Sequence, residues 1–373
     1  MHIDQIRVLY LAMPRSKPAE FGTRRLTTTE TVLVGMSSGG VTGWGEASPG
    51  TVPESASEWA HGAFLCLKEW LAPELLGVEV PSGGSLAQRL AHVTGNAAGK
   101  AALDIAWWNL KAQQENRPLA ELLGSTVSNV PLGSVFGVQS SIDELIDGVR
   151  QAIAAGHQSI GLKFRPGWSL EVVRAIRESL SNMPLWIDAD GLCSLEQREM
   201  FFRLEDFYLE RIEQPFAADD LVAHAMLQES LRTPVALDQS ISSPGRLEQA
   251  IDLVSCRHVR LNPQRLGGIT PTLALAEVCR KTNPALQCLL GVNQQTSIGL
   301  HASLALAAAG ICEGPVDFVP LDPACGDLAG CFESVRNAAG EAEISAAEFA
   351  LPSPAPSRVS LERFLMAQAM LAL

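Results

Sequence analysis

Apolar and polar positions alternate along this chain in two regimes, with a change near residue 130. Before it, IDQIRVLYLAM (3–13) and TETVLVGMSS (29–38) place apolar residues at every second position, the period of a half-buried strand. Gly39-Gly40 then offers a hairpin turn into VTGWGEAS. ASEWAHGAFLCLKEWLAPELL and GKAALDIAWWNLKAQQ carry apolar residues at helical spacing, and Pro118 and Gly124 close the region. The pattern predicts an α+β domain over residues 1–125.

From Val130 onward, short apolar runs alternate with amphipathic stretches. The runs are PLGSVFG, SIGLKFR, PLWIDAD, FYLERIEQP, PVALDQSI, HVRLNP, LQCLLGVN and DFVPL. Helical segments such as SIDELIDGVRQAIAAG and SLEVVRAIRESL lie between them. Strand-like runs that each lead into a helix predict a parallel α/β barrel, of the TIM type, over residues 126–324. The Ala/Pro/Ser-rich tail, 325–373, is expected to pack back on the first domain.

Polar residues recur at the C-terminal ends of these runs. Lys163, Asp188, Glu213, Asp238 and Asn262 are separated by 25, 25, 25 and 24 residues, one βα unit each time. In a barrel this gathers five side chains around one mouth, where such folds keep their active sites. One strand-end carboxylate is readily explained as a solvated charge; three in phase with the repeat are not. Asp188, Glu213 and Asp238, with no His or Cys nearby, suit a hard oxygen-loving ion, Mg²⁺ with Mn²⁺ as an alternative. Such an ion would hold a substrate carboxylate and stabilise the dianion formed when the adjacent carbon loses a proton. Lys163, with a lowered pKa, is the expected general base; the alternative is a lysine that merely pairs with a ligand carboxylate.

Composition narrows the class. The chain has 373 residues, 47% of them apolar, enough for a large barrel plus a smaller domain. A formal charge of −13 argues against nucleic acid and anionic membranes as partners, but a bound metal can locally reverse its sign for a small carboxylate substrate. The eight cysteines form no C-x-x-C pair and read as reduced thiols of a cytoplasmic protein. The N-terminus reads as a strand and not as a signal peptide, and no apolar run reaches the ~18 residues of a membrane helix. Whether the chain forms a homo-oligomer is left open.

With these residues in view, the sequence resembles the muconate-lactonizing subgroup of the enolase superfamily, nearest to o-succinylbenzoate synthases and N-acylamino acid racemases. FGTRR (21–25), GWGEASP (43–49) and KAALDIAWWNLKAQ (100–113) resemble capping-domain and pre-barrel segments. LKFRPGW, IDAD, IEQP, LDQSI and LNPQRLGG resemble the barrel signatures in order and spacing. The resemblance implies a (β/α)7β barrel under an α+β cap and an enzyme that abstracts the proton α to a carboxylate. It also implies that cap loops set the substrate, here around Phe21–Arg25 and Pro49–Glu54, where Arg24 and Arg25 could meet a distal carboxylate or stay solvated.

The departures from the family pattern are concentrated. Its K-x-K reads Gly161-Leu162-Lys163, and the sixth-strand lysine is Asn262. D-E-S is Asp238-Gln239-Ser240, and the seventh-strand E-T is Gln295-Thr296. One lysine and two acids have become neutral amides while three carboxylates and Lys163 remain. Random decay would not select in this way, so one face of the site reads as refitted for another substrate. Asn262 cannot transfer a proton at neutral pH, and His301 reads as a histidine on the face of the following helix. Two-base racemisation is therefore disfavoured, and one-base syn-elimination of water is favoured. Lactonising cycloisomerisation, a racemase with a non-standard second base and a catalytically silent binding protein stand as alternatives. Arg165 shares a strand face with Lys163 by period-2 alternation. It could supply the cation that Gly161 lacks, bind a substrate anion, or sit solvated at the rim.

Overall fold

The alternation in the first forty residues produces β1 (Gln5–Phe21), β2 (Arg24–Ser38) and β3 (Val41–Ala47), an antiparallel sheet turned between β2 and β3 at Gly39-Gly40. The structure is a computed structural model and describes residues 1–21, 24–53, 56–125, 127–164, 169–180, 182–283, 285–292, 294–318, 334–345, 348 and 354–373. The two faces of the sheet have different partners. Ile6, Val8, Val32 and Val34 pack among the cap's own helices. Leu9, Leu11, Met13 and Leu33 face the other way, toward Ile298 of the barrel's helix Ser297–Ala308.

The long helix Ala97–Glu115 lies against β3 at backbone distance, which Gly43 and Gly45 permit. A Cβ on Gly43 would sit 2.1 Å from Leu110 N, and one on Gly45 would sit 2.0 Å from Ala102 O. Any side chain at either position would push the helix off the sheet.

The eight apolar runs of the barrel region form eight strands. They are β4 (Asn129–Phe136), β5 (Ile160–Lys163), β6 (Leu185–Asp188), β7 (Ile212–Glu213), β8 (Val235–Leu237), β9 (His258–Leu261), β10 (Gln287–Leu290) and β11 (Val316–Phe318). Parallel ladders join β4 through β10 in chain order, and β11 pairs with β4. Among the described residues no ladder joins β10 to β11, so hydrogen bonds do not close the barrel there. A large apolar core fills the space between these strands and the helices around them. The hairpin β12 (Ser334–Arg336) and β13 (Ala342–Ser345) attaches antiparallel to the start of β4, on the edge that β11 shares. The last strand, β14 (Leu365–Ala372), completes the cap sheet beside β1. Cys66, Cys193, Cys256, Cys279, Cys288 and Cys312 are free thiols. Among the described residues no helix is long and apolar enough to cross a membrane.

Candidate active site

Short parallel strands in near-register bring their last residues to a common level. Lys163, Asp188 and Glu213 are the final residues of β5, β6 and β7, paired across the ladders as Lys163–Asp188 and Asp188–Glu213. Asp238 and Asn262 directly follow β8 and β9. All five line one cavity of about 740 Å³, with cap residues including Arg15, Thr29, Ser48 and Val52 on its walls. Gln239 lines it as well.

Each acidic residue is turned to a cation of the protein. Lys163 Nζ donates to Asp188 Oδ2 at 2.7 Å and to both oxygens of Asp190, at 2.8 and 2.7 Å. Gln239 Nε2 also donates to Asp190 Oδ1, at 3.2 Å. Glu213 Oε2 accepts from Arg260 Nη1 at 3.0 Å, and Asp238 Oδ2 from Arg265 Nη2 at 3.0 Å. Behind Glu213, Asp317 Oδ2 accepts from Arg260 Nη1 at 2.8 Å and from Arg211 Nη2 at 2.9 Å. Both guanidiniums lie over the Trp186 indole, Arg211 at 3.8 Å and Arg260 at 5.3 Å from the ring centroid.

The electrostatics follow from this crowding. Burial pushes the Glu213 carboxyl up to about 8, reinforced by the charges of Asp188 and Asp238 and opposed by those of Arg260 and Arg211. Burial likewise raises Asp190, with Asp188 and Asp238 adding to it and Lys163 opposing. For Lys163, burial pulls its pKa down, but the charges of Asp188 and Asp190 prevail and hold it above the usual lysine range. The sequence-based expectation of a lowered pKa is thus not met in this arrangement. Gripped by two carboxylates, Lys163 is held in its protonated form in this arrangement.

The replaced family positions have physical counterparts. A Cβ on Gly161 would lie 2.3 Å from the Trp186 ring, so the indole fills the space a side chain at 161 would need. Asn262 caps the short helix Pro263–Leu266, its Oδ1 accepting from Gln264 N at 3.1 Å. Gln295 is buried, with its Oε1 taken by Ser303 Oγ at 3.0 Å, and it is not among the residues lining the cavity. His301 is buried on helix Ser297–Ala308 and does not line the cavity either. Arg165 and the side chain of Arg24 lie outside the described residues. Arg25 is exposed on β2, away from the cavity lining.

Cap and barrel are tied together beside the site. Gln264 Nε2 donates to Glu46 O at 2.9 Å, and Gln264 Oε1 accepts from Ser48 N at 3.0 Å. The Glu46 carboxylate is fully buried and accepts from Thr296 N at 3.1 Å and Gly299 N at 2.9 Å. The Glu46 of GWGEASP therefore anchors the loop after β10.

A divalent ion is a good chemical match for the donors. Asp188, Glu213 and Asp238 are oxygen donors on adjacent strands, their like charges repel, and Asp238 Oδ1 is buried without a hydrogen-bond partner. The side chains are not preset for it, because among the described residues no three carboxylates, thiols or imidazoles already stand as a metal-holding group.

Residues 144–322 match the enolase C-terminal domain-like family, and residues 5–124 match the mandelate racemase / muconate lactonizing enzyme N-terminal domain. The o-succinylbenzoate synthase of Bacillus subtilis is 33% identical to this chain over 83% of it and 82% of that protein. The chain belongs to the mandelate racemase / muconate lactonizing enzyme family of the enolase superfamily. An N-succinylamino acid racemase of Thermus thermophilus is 34% identical over 73% of this chain and 74% of its own. Among solved structures, an enolase-superfamily member from Listeria innocua superposes with a TM-score of 0.91 at 26% identity, covering 100% of this chain and 99% of that one. These relatives are enzymes, and this member of the enolase superfamily is an enzyme too.

Several site residues were not singled out from sequence. Asp190, Trp186, Arg211, Arg260, Arg265 and Asp317 all touch the acidic cluster or its partners. For three of them the signal was period-2 alternation read backward. Trp186, Arg211 and Arg260 stand two residues before Asp188, Glu213 and Asn262 and so face the same interior, one layer deeper.

Proposed function

We propose that this enzyme binds Mg²⁺, with Mn²⁺ as an alternative, through Asp188, Glu213 and Asp238, and that Lys163 alone moves the proton α to a substrate carboxylate. The bound ion would supply the positive charge that offsets the negative charge developing on the substrate carboxylate as its α-carbon loses a proton. Lys163 would hold or deliver the proton at Nζ, while Asp190 and Gln239 steer its ammonium. The Arg260–Asp317–Arg211 network would fix Glu213 from behind. The enclosing cap would exclude water from the reacting carbon.

One observation carries the one-base reading. Among the described residues lining the cavity, Lys163 is the one lysine, and no histidine, cysteine or tyrosine accompanies it. Asn262, an amide engaged as a helix cap, cannot stand in for a second base. Dehydration of the o-succinylbenzoate-synthase kind is favoured over racemisation on that ground. The relatives are named for o-succinylbenzoate and for N-succinylamino acids, and we take a small carboxylate bearing a succinyl arm as the substrate class.

Calorimetric titration with Mg²⁺ or Mn²⁺ tests the metal assignment. Asp188→Asn, Glu213→Gln and Asp238→Asn should each weaken binding at least tenfold, while Lys163→Ala should keep or improve it. Wild-type affinity in all three carboxamide variants would remove the basis of the proposal.

A further inference from the structure

Among the described residues, the cap sheet presents one cation to the cavity, Arg15, and its position follows from strand periodicity. Leu9, Leu11 and Met13 of β1 face the barrel, and Arg15 is the next residue in that series. It sits where the β1–β2 ladder is interrupted after Pro14, and it lines the cavity from the cap side. Among the described residues its hydrogen bonding is incomplete. Nη1 donates to Thr29 Oγ1 at 3.0 Å, and Nε is buried with no acceptor. A buried guanidinium donor without an acceptor is costly unless something supplies one.

The nearby carboxylates do not. Glu30, on the same cavity wall, accepts from Tyr10 Oη at 2.5 Å on the opposite face of the sheet, where Tyr10 stacks on His61. Glu58 accepts from Ala97 N at 2.8 Å and Ala98 N at 3.0 Å at the start of the long helix. Both cap carboxylates are thus committed, and Arg15 is left with free donor capacity facing the cavity.

We propose that Arg15, with Thr29 holding its guanidinium, forms the subsite for the distal carboxylate of the substrate, the far end of the succinyl arm. This rests on the substrate class proposed above and assigns that arm to a residue. The reacting carboxylate lies at the acidic cluster on the barrel, and the second carboxylate reaches across to β1. Guanidinium–carboxylate pairing is charge-assisted and directional, so Arg15 discriminates between a succinyl group and an acyl group that lacks the distal carboxylate.

The test is a pair of calorimetric titrations at saturating Mg²⁺, with N-succinylglycine and N-acetylglycine as probes, on wild type, Arg15→Lys and Arg15→Ala. Wild type should prefer the succinyl compound by roughly tenfold to a hundredfold, the range expected for one charge-assisted contact. Arg15→Ala should erase the preference and leave N-acetylglycine binding unchanged, and Arg15→Lys should restore part of it. Equal binding of the two probes by wild type, binding of neither, or a preference that survives in Arg15→Ala overturns the subsite. Deuterium exchange at the α-carbon, followed separately, distinguishes this from the one-base reading. A preference that depends on Arg15 without exchange leaves the subsite standing and sinks the base, and exchange without any preference does the reverse.

Discussion

Gly161→Ala isolates the contact that replaces a missing lysine. Within a strand, alanine should gain roughly 0.5–1 kcal/mol over glycine by restricting the unfolded chain. Here the added methyl meets Trp186 at 2.3, 2.5 and 2.8 Å, far inside van der Waals contact. The indole cannot swing aside cheaply, because Trp186 is almost fully buried and Arg211 stacks on it at 3.8 Å. Overpacking of this kind costs about 1–3 kcal/mol, enough to reverse the intrinsic gain. Trp186→Leu alone should be destabilising through lost burial, and the double variant should be more stable than the sum of the two predicts. Urea unfolding followed by circular dichroism, run as a double-mutant cycle, should give a coupling of at least about 1 kcal/mol. A neutral or stabilising Gly161→Ala, or additive effects, would refute the claim that Trp186 occupies the space of a side chain at 161.

Two further perturbations probe the buried charges. Arg260→Met leaves Glu213 and Asp317 to share Arg211, and should cost about 3–5 kcal/mol in the same unfolding assay. Mg²⁺ should recover part of that loss, and Glu213→Gln in the same background should abolish the recovery. Asp104, buried where the cap's long helix meets Thr270, is pushed by burial from 3.8 up to about 7, against the hydrogen bonds from Thr270. Because the folded carboxyl stays neutral longer than the unfolded one, stability falls as pH rises from about 3.8 to about 7 and is level above that, a span on the order of 4 kcal/mol. The melting temperature of Asp104→Asn relative to wild type should therefore rise between pH 5 and pH 8, and a pH-independent gap would contradict the shift.

What could be read from sequence was what repeats. The spacing of Lys163, Asp188, Glu213, Asp238 and Asn262 fixed the barrel and its mouth, because one βα unit separates each pair and parallel strands end at one level. The apolar runs of β6, β7 and β8 are buried at every position, as strands covered on both faces are. The layer beneath the mouth was legible in principle. Stepping back two residues gives Gly161, Trp186, Arg211, Ala236 and Arg260, but their meaning depends on which side chains cross the barrel axis. Asp317 could not be placed without knowing that β11 returns beside β4, opposite Arg211 and Arg260. Gln295 lies in the loop five residues beyond the end of β10, and its Oε1 accepts from Ser303 on the next helix, a choice made by loop geometry and not by alternation. Arg25 reads as a loop cation in the sequence and is exposed on β2, whereas Arg15 lines the cavity from the cap. That placement depends on how two domains meet, which no local pattern encodes.

The central claim, a single base on one face of a metal-held carboxylate, is tested most directly by proton NMR in D₂O. Enantiomerically pure N-succinylamino acids, incubated with the enzyme and Mg²⁺, should exchange the α-proton of one enantiomer with retention of configuration. Exchange should vanish on removing Mg²⁺ and in Lys163→Ala, whose three carboxylates still bind the ion. Exchange of both enantiomers with inversion, or exchange that persists in Lys163→Ala, would contradict the account.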